Sequence, residues 1–302
     1  MLAGIGEGVV EGLGTPFVQG LHKEEPGRYV NFSHGFWSLG VLVSALLFAW
    51  MLMVEVSWRW VLVAAAAFAV PPMLLMLLPE GRRRYPERPN KVESRHVFEQ
   101  VKAICRTPRF WLYFSAMLLA GGGEYCLTFW VASFVQLTFA GSVMAGGIAT
   151  AVFAMGMFTG RTGFGFLLHQ RHLKMLMIVM GVFGTLVCAA IPTLSQFEGA
   201  WVLYVLFVVL FLAGIATAPF WPSLQTHAVT RLPGLDATMV YVLLSCAGVP
   251  GCGIFTLVMG YLGKAKAIGL AQSFYIVPVC FAGIVVLLLA DRKSKKGELQ
   301  AN

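Results

Sequence analysis

The chain has 302 residues, of which 58% are hydrophobic and 12% charged, and a formal net charge of +8. A water-soluble fold of this size lacks the surface to hold so much apolar area, and the charged share is about half that of a soluble domain. This excludes an ordinary cytosolic enzyme, a disordered chain and a nucleic-acid binder, because the basic residues sit in short gaps between apolar runs, as at the flanks of membrane spans.

A membrane helix needs about 20 mostly apolar residues to cross about 30 Å of hydrocarbon. Nine stretches qualify, near residues 2–21, 32–54, 58–79, 109–138, 143–168, 174–194, 201–222, 236–262 and 268–290. They predict an all-α, polytopic membrane protein with nine transmembrane helices. The first stretch is the weakest. It carries Glu7 and Glu11, is rich in glycine and lacks the basic n-region of a signal peptide. Gly4, Gly8 and Gly12 recur every four residues, a small-residue face for close helix contact, and the two acids flank it. A carboxylate inside a bilayer is costly and marks a substrate, ion or proton route. Glu11, the deeper acid, is therefore a candidate for substrate binding or proton coupling, while Glu7 lies near the end, within reach of water.

Asn31 and His34 open the second span near the cytoplasm, where they suit a structural or gating role. Position alone does not make His34 a proton relay. After the third span comes a polar connector, residues 80–106, with the run Arg82, Arg83, Arg84, four acids, and Pro86 and Pro89. Its first part reads as extended, and residues 93–104 read as an amphipathic surface helix. The expected organisation is a three-span bundle over 1–79, a cytoplasmic linker over 80–106, a six-helix bundle over 107–290 and a cytoplasmic tail over 291–302.

Basic residues set the orientation. Alternate gaps hold Lys23 and Arg28, the linker, Arg171 and Lys174, Arg231, and the tail Arg292, Lys293, Lys295 and Lys296. The opposite gaps hold Arg59, Lys264 and Lys266 against Glu55 and Glu198. The linker and the C-terminus are thus expected in the cytoplasm of a bacterial inner-membrane protein. Nine spans then leave Met1 on the far side without a leader. Three spans precede the linker and six follow it, whereas many secondary transporters are two six-helix halves joined by a long loop. The expectation is that three spans are missing in front; the alternative is a native nine-span protein.

Glu124 follows Gly121, Gly122 and Gly123 in the middle of a long span, with no basic residue within one helical turn. Three glycines loosen a helix and let another helix or a ligand approach its backbone. Tyr125 and Trp130 suit stacking on an apolar sugar face with hydrogen bonds at the rim. Glu124, Tyr125 and Trp130 join Glu11 as binding or coupling candidates. The other reading of Glu124 is a neutral acid hydrogen-bonded inside the bundle. Gly160 and Arg161 lie near the cytoplasmic end of their span. There the arginine reaches the interface or caps a neighbouring helix, a structural latch rather than a substrate ligand. Pro219, Pro222 and Pro250, which follows Gly248, imply kinks and freed carbonyls useful for gating. The six cysteines have no metal-ligand or CxxC spacing and read as small buried hydrophobes. No P-loop, dinucleotide glycine pattern, nucleophile elbow or HExxH occurs, so the chain is expected to work on gradients, without cofactor or metal.

In this order the motifs resemble the fucose permease-like sugar:proton symporter branch of the major facilitator superfamily, over essentially the whole chain. Residues 4–11, with Glu11 as the membrane acid, resemble the fourth span of that family. Arg28, Asn31, His34, Gly35, Phe36 and Gly40 resemble the opening of the fifth, and Gly123, Glu124 and Trp130 resemble the seventh. Gly160 and Arg161 resemble the eighth-to-ninth-span arginine motif, although Phe158 and Thr159 stand where an acid leads it. Gly214, Ala218, Pro219 and Pro222 resemble the tenth span, and Ala247, Gly248 and Gly251 the eleventh. The resemblance implies an alternating-access carrier of a small solute, often a monosaccharide, with a proton, working as a monomer in the lipid bilayer. The competing readings are a multidrug or metabolite exporter of the same fold, for which the fourteen methionines speak, and a truncated membrane protein that transports nothing.

Overall fold

A computed structural model describes residues 2–22, 24–77, 94–167 and 169–291, and every regular element in them is helical. The helices are α1 (Leu2–Leu21), α2 (Pro26–Met53), α3 (Trp58–Ala67), α4 (Val70–Leu77), α5 (Ser94–Cys105), α6 (Pro108–Thr138), α7 (Val143–Leu167), α8 (Leu173–Leu194), α9 (Ala200–Thr217), α10 (Phe220–Arg231), α11 (Ala237–Lys264), α12 (Gly269–Ser273) and α13 (Ile276–Ala290). The arginine run and prolines of the connector, Lys23 and the basic tail lie outside the described residues.

Eight stretches among the described residues are long and apolar enough to cross a membrane, where nine were expected. The one that falls short is α1. It is a full 20-residue helix, but Glu7, Glu11 and its glycines dilute its hydropathy. Three spans are broken in two, each just before a proline. Pro71 and Pro72 follow the break between α3 and α4, Pro219 and Pro222 that between α9 and α10, and Pro278 that between α12 and α13. A proline has no N–H for the carbonyl four residues back and suits the first turn of the next helix. The expected surface helix is present as α5, within a residue of its expected bounds, and the Trp111 indole caps its end by donating to the Cys105 carbonyl at 2.8 Å.

α6 is the central helix. It packs on α11, α13 and α7, while α8 and α9 close the bundle from the other side. α2 runs along α7, α1 leans on α2 and α11, and α3 packs on α2 and α4. The closest crossings are built from glycine. At α6–α11, a side chain on Gly121 would meet the Gly248 carbonyl, and one on Gly251 the Leu118 carbonyl. At α7–α9, one on Gly156 would meet the Phe211 carbonyl. In hydrocarbon such backbone contact replaces the solvent-driven packing of a soluble core.

These contacts bear on two glycine expectations: at Gly121–Gly123 it is another helix, one of the two expected visitors, that approaches the backbone, and on α1 the expected helix contact is not made. The Gly121–Gly123 run does not break α6, which continues unbroken through it. Its open faces are filled by Gly248, Phe255 and Phe281, so the run serves helix packing and leaves no backbone exposed to a ligand. The face of α1 carrying Gly8 and Gly12 closes no helix contact, since nothing lies within 4 Å of a side chain placed there. α1 instead meets α2 through a polar contact described below. Gly4 and Glu7 lie in α1, with side-chain surroundings outside the described residues. The six cysteines are unpaired, and four are buried; Cys105 is half-buried and Cys246 exposed.

Candidate functional site

Glu124 of α6 and Arg161 of α7 are both buried, at 2% and 1% exposure. Nη2 of Arg161 donates to the two carboxylate oxygens of Glu124 at 2.8 and 2.9 Å. Sequence reading left Glu124 without a basic partner because the partner stands on the next helix. The contact has the distance of an ion pair between neighbouring helices.

The remaining donors of Arg161 are also used. Nη1 donates to the His34 carbonyl at 3.3 Å and to Ser38 Oγ at 2.8 Å, both on α2. Nε donates to the Ala218 carbonyl at 3.2 Å. All three guanidinium nitrogens thus donate to acceptors in the protein. The Ala218 carbonyl is available for a reason legible in the sequence. In a continuous helix it would accept from residue 222, which is proline and has no N–H. Ala218 also caps the C-terminus of α9, so the cation sits at the negative end of that helix. Arg161 thus caps a neighbouring helix, as expected, but does not reach the interface. Its Cζ lies 5.3 Å from the Trp37 ring centroid, a cation–π contact.

α2 begins at Pro26, earlier than expected, so Asn31 and His34 lie well inside it. His34 Nε2 is 3.2 Å from Thr15 Oγ1 of α1. Asn31 Nδ2 donates to the Gly27 carbonyl at 2.8 Å and to Ser223 Oγ of α10 at 3.3 Å, tying α2 to the helix after the proline break.

Two cavities meet at this cluster. One of about 20 Å³ is lined by Glu11, His34, Glu124, Tyr125, Arg161 and Trp221, with Trp37 between them. The other, of about 190 Å³, is lined by Glu11, Thr15, Ser33, His34 and Trp37 among others. They share Glu11, His34 and Trp37 and so lie side by side at these residues; the two together are called the chamber below. Trp37 and Tyr125 supply an aromatic wall, their centroids 5.9 Å apart. The structure therefore brings Glu11, His34, Glu124, Tyr125 and Arg161 together. Trp130 stands apart: its Nε1 donates to the Thr256 carbonyl at 3.2 Å, and it lines a different, apolar groove with Pro250. Gly160 lies under Ala218 and Gly248 under the Trp221 ring. Pro219 and Pro222 shape the break that presents Ala218.

Sequence reading missed Trp221 as a chamber residue. It also missed a second buried charge cluster at the N-terminal end of α6. Asp291, just past α13, accepts from Tyr113 Oη at 2.8 Å and Arg231 Nε at 2.9 Å, and Arg109 Nε lies 3.0 Å away. Lys174 Nζ donates to its backbone carbonyl at 2.6 Å. Burial pushes the Asp291 carboxyl up, but the hydrogen bonds from Arg231 and Tyr113 and the charges of Arg231 and Arg109 outweigh it. The group is held below its ordinary value. The available signal was a lone acid between the last apolar run and a basic tail. Among the described residues, no group of three or more His, Cys, Asp or Glu side chains is placed to hold a metal.

No curated protein matches the chain. Among solved structures, it is similar in fold to that of the E. coli fucose:proton symporter FucP. The TM-score is 0.67 at 15% identity, over 94% of this chain and 74% of that one. FucP in the outward conformation gives a TM-score of 0.65 at 16% identity, over 94% of this chain and 73% of that one. Residues 1–234 match the model of the Major Facilitator Superfamily. With a polytopic helical fold around a buried charged chamber, the chain belongs to the Major Facilitator Superfamily and is a transport protein, not an enzyme.

Proposed function

We propose that the chain is a secondary carrier that moves a small uncharged solute, a sugar, together with a proton by alternating access. The observation that carries this reading is the chamber itself. Ionisable side chains from four helices, α1, α2, α6 and α7, converge between apolar spans, where a charge is retained only for a task. Arg161 is already paired with Glu124 and engaged at all three of its nitrogens, which disfavours an anionic substrate. Glu11 is the proton-carrying acid of this reading, and Tyr125 and Trp37 form the aromatic platform for a sugar ring. The similarity in fold to a fucose:proton symporter supports the substrate class. In this reading α2 belongs to one moving half and α6–α13 to the other, the linker and C-terminus face the cytoplasm, and the unit is a monomer.

The test uses the purified chain in proteoliposomes. Addition of a transported pyranose should alkalinise the external medium, and Glu11→Gln should retain sugar binding while losing the proton signal. Absence of binding and of alkalinisation across a monosaccharide panel, from protein that elutes as a folded species, would sink the proposal.

A further inference from the structure

Two cavities share a wall where α1 ends, α2 begins and α7 ends. One, of about 170 Å³, is an aromatic cleft lined by Tyr29, Phe32 and Phe166, with Gly165 and Arg28. The other, of about 470 Å³, is a polar basin lined by His22, Glu24 and Glu25, with Leu21. Arg28 and Tyr29 line both. The apolar span of α2 starts at Gly27, and that of α7 stops at Phe166. The basin residues of the α1–α2 turn therefore lie outside the hydrocarbon, while Phe32 stands about 8 Å along α2 from the start of its span. Cleft and basin meet at the membrane surface, the level at which tyrosine is favoured.

Arg28 is braced there by rings and makes no close polar contact. Its Cζ lies 5.9 Å from the Tyr29 ring centroid and 5.3 Å from that of Phe166. Phe32 meets Phe166 edge-on at 5.4 Å, and His22 stacks on Tyr29 at 3.6 Å. The Glu25 carboxylate stands 3.8 Å from Nη1 of Arg28, beyond the about 2.8 Å of a charge-assisted hydrogen bond. Among the described residues, the Arg28 guanidinium donates no hydrogen bond and the Glu24 carboxylate accepts none. Stacking on aromatic rings fixes a guanidinium while leaving its planar fork of donors open.

The mixture of charges selects the ligand. A lone anion would suit Arg28 but face two carboxylates, and a lone cation would suit the carboxylates but face Arg28. A zwitterion with a phosphate and a primary ammonium meets both, the ammonium supplying N–H donors to the acids. The cleft adds a third demand, an apolar chain on the phosphate side. The order cleft, arginine, carboxylates is the order acyl chain, phosphate, ammonium of an amino phospholipid. Basic pockets between membrane helices at the surface are suited to lipid headgroups.

We propose that this junction binds a phospholipid with a primary ammonium. Its phosphate sits on Arg28, its ammonium on Glu24 and Glu25, and an acyl chain in the cleft of Phe32 and Phe166. The site is separate from the chamber and stands whether or not the chamber takes a sugar. The experiment measures lipid binding to the purified, detergent-solubilised full chain by native mass spectrometry. Three dioleoyl lipids are compared that differ only in headgroup: ethanolamine, choline and glycerol. The wild type should hold the ethanolamine lipid about tenfold more tightly than the other two, the effect of one charge-assisted hydrogen bond. Arg28→Gln should weaken the ethanolamine lipid about tenfold. Glu24→Gln combined with Glu25→Gln should keep Arg28 and erase the preference of ethanolamine over glycerol. Glycerophosphoethanolamine, the headgroup without chains, should not displace the bound lipid at equal concentration. Equal binding of the three lipids to folded wild type, or a full ethanolamine preference in the folded carboxylate variant, would overturn the proposal. Displacement by the chainless headgroup would overturn the lipid as occupant. If Arg28→Gln does not fold, the carboxylate variant decides alone.

Discussion

The two buried charge clusters are built on opposite plans. At the chamber, one cation is the centre: all three nitrogens of Arg161 donate, to acceptors from α2, α6 and the α9–α10 break. At the N-terminal end of α6, one anion is the centre: Asp291 gathers Tyr113, Arg109 and Arg231, with Lys174 on its carbonyl. The ties of Arg161 to His34 and Ser38 join α2 to the bundle, and they must break if α2 ever parts from α7. Every tie of Asp291 stays within α6, α8, α10 and α13. The first arrangement is suited to a switch and the second to a brace. A donor-centred cluster fails when its cation loses contact, whereas an acceptor-centred one keeps some partners whichever one leaves.

The largest effect should come from Arg161→Ala. It strands the Glu124 carboxylate in the bundle, a loss of about 3–5 kcal/mol for a broken buried pair. Little folded protein should elute from size exclusion, and adding Glu124→Gln should restore part of it. Full folding of Arg161→Ala alone would mean that the chamber pair carries no structural load. Asp291→Asn should be milder, about 1–3 kcal/mol, because tyrosine and arginine keep a neutral acceptor. It should lower the thermal midpoint without changing transport per folded molecule. A fall in transport per folded molecule would show that the second cluster switches as well.

Acid sharpens the contrast. The Asp291 carboxyl lies below its ordinary value of 3.8 in the folded chain, so the unfolded chain takes up its proton first as pH falls. Its contribution is complete above that value and lost below it. The wild-type midpoint should therefore drop more steeply than that of Asp291→Asn once the pH falls below about 4, in a thermal series across pH. Equal slopes would refute the brace as a charged one. The smallest effect lies outside both clusters. Asp236 caps α11 by accepting from the Met239 amide at 2.8 Å, and Asp236→Ala should cost about 1 kcal/mol in the same melts.

The spans were legible because an apolar run of about 20 residues has one use in a bilayer. The breaks were legible in kind from the prolines. Glu124 stood out as an acid among apolar residues. Its pairing did not, because Arg161 follows 37 residues later on another helix and no periodicity links them. The role of Ala218 was within reach, since a proline at 222 frees the carbonyl at 218. The glycines were legible by half. Gly121–Gly123 admit a neighbouring helix, one of the two approaches read from them, while Gly8 and Gly12 suggested a crossing and meet open space. A small-residue pattern says that backbone approach is allowed, and only the neighbouring helices decide whether it happens. Trp130 was drawn to the site by its nearness in sequence to Glu124, but the Thr256 carbonyl holds it away.

The α6–α11 crossing has a mechanical consequence. Where two backbones touch without side chains between them, no rotamer has to change for one helix to roll on the other, so the point of contact acts as a fulcrum. α6 spans 31 residues, and its crossing at Gly121 divides it into lever arms of about 20 and 26 Å at 1.5 Å per residue. A tilt of about 10° there would carry the two ends about 3 to 5 Å in opposite directions. Motion of that size at the ends requires almost none at the pivot, where Gly248 holds the indole of Trp221.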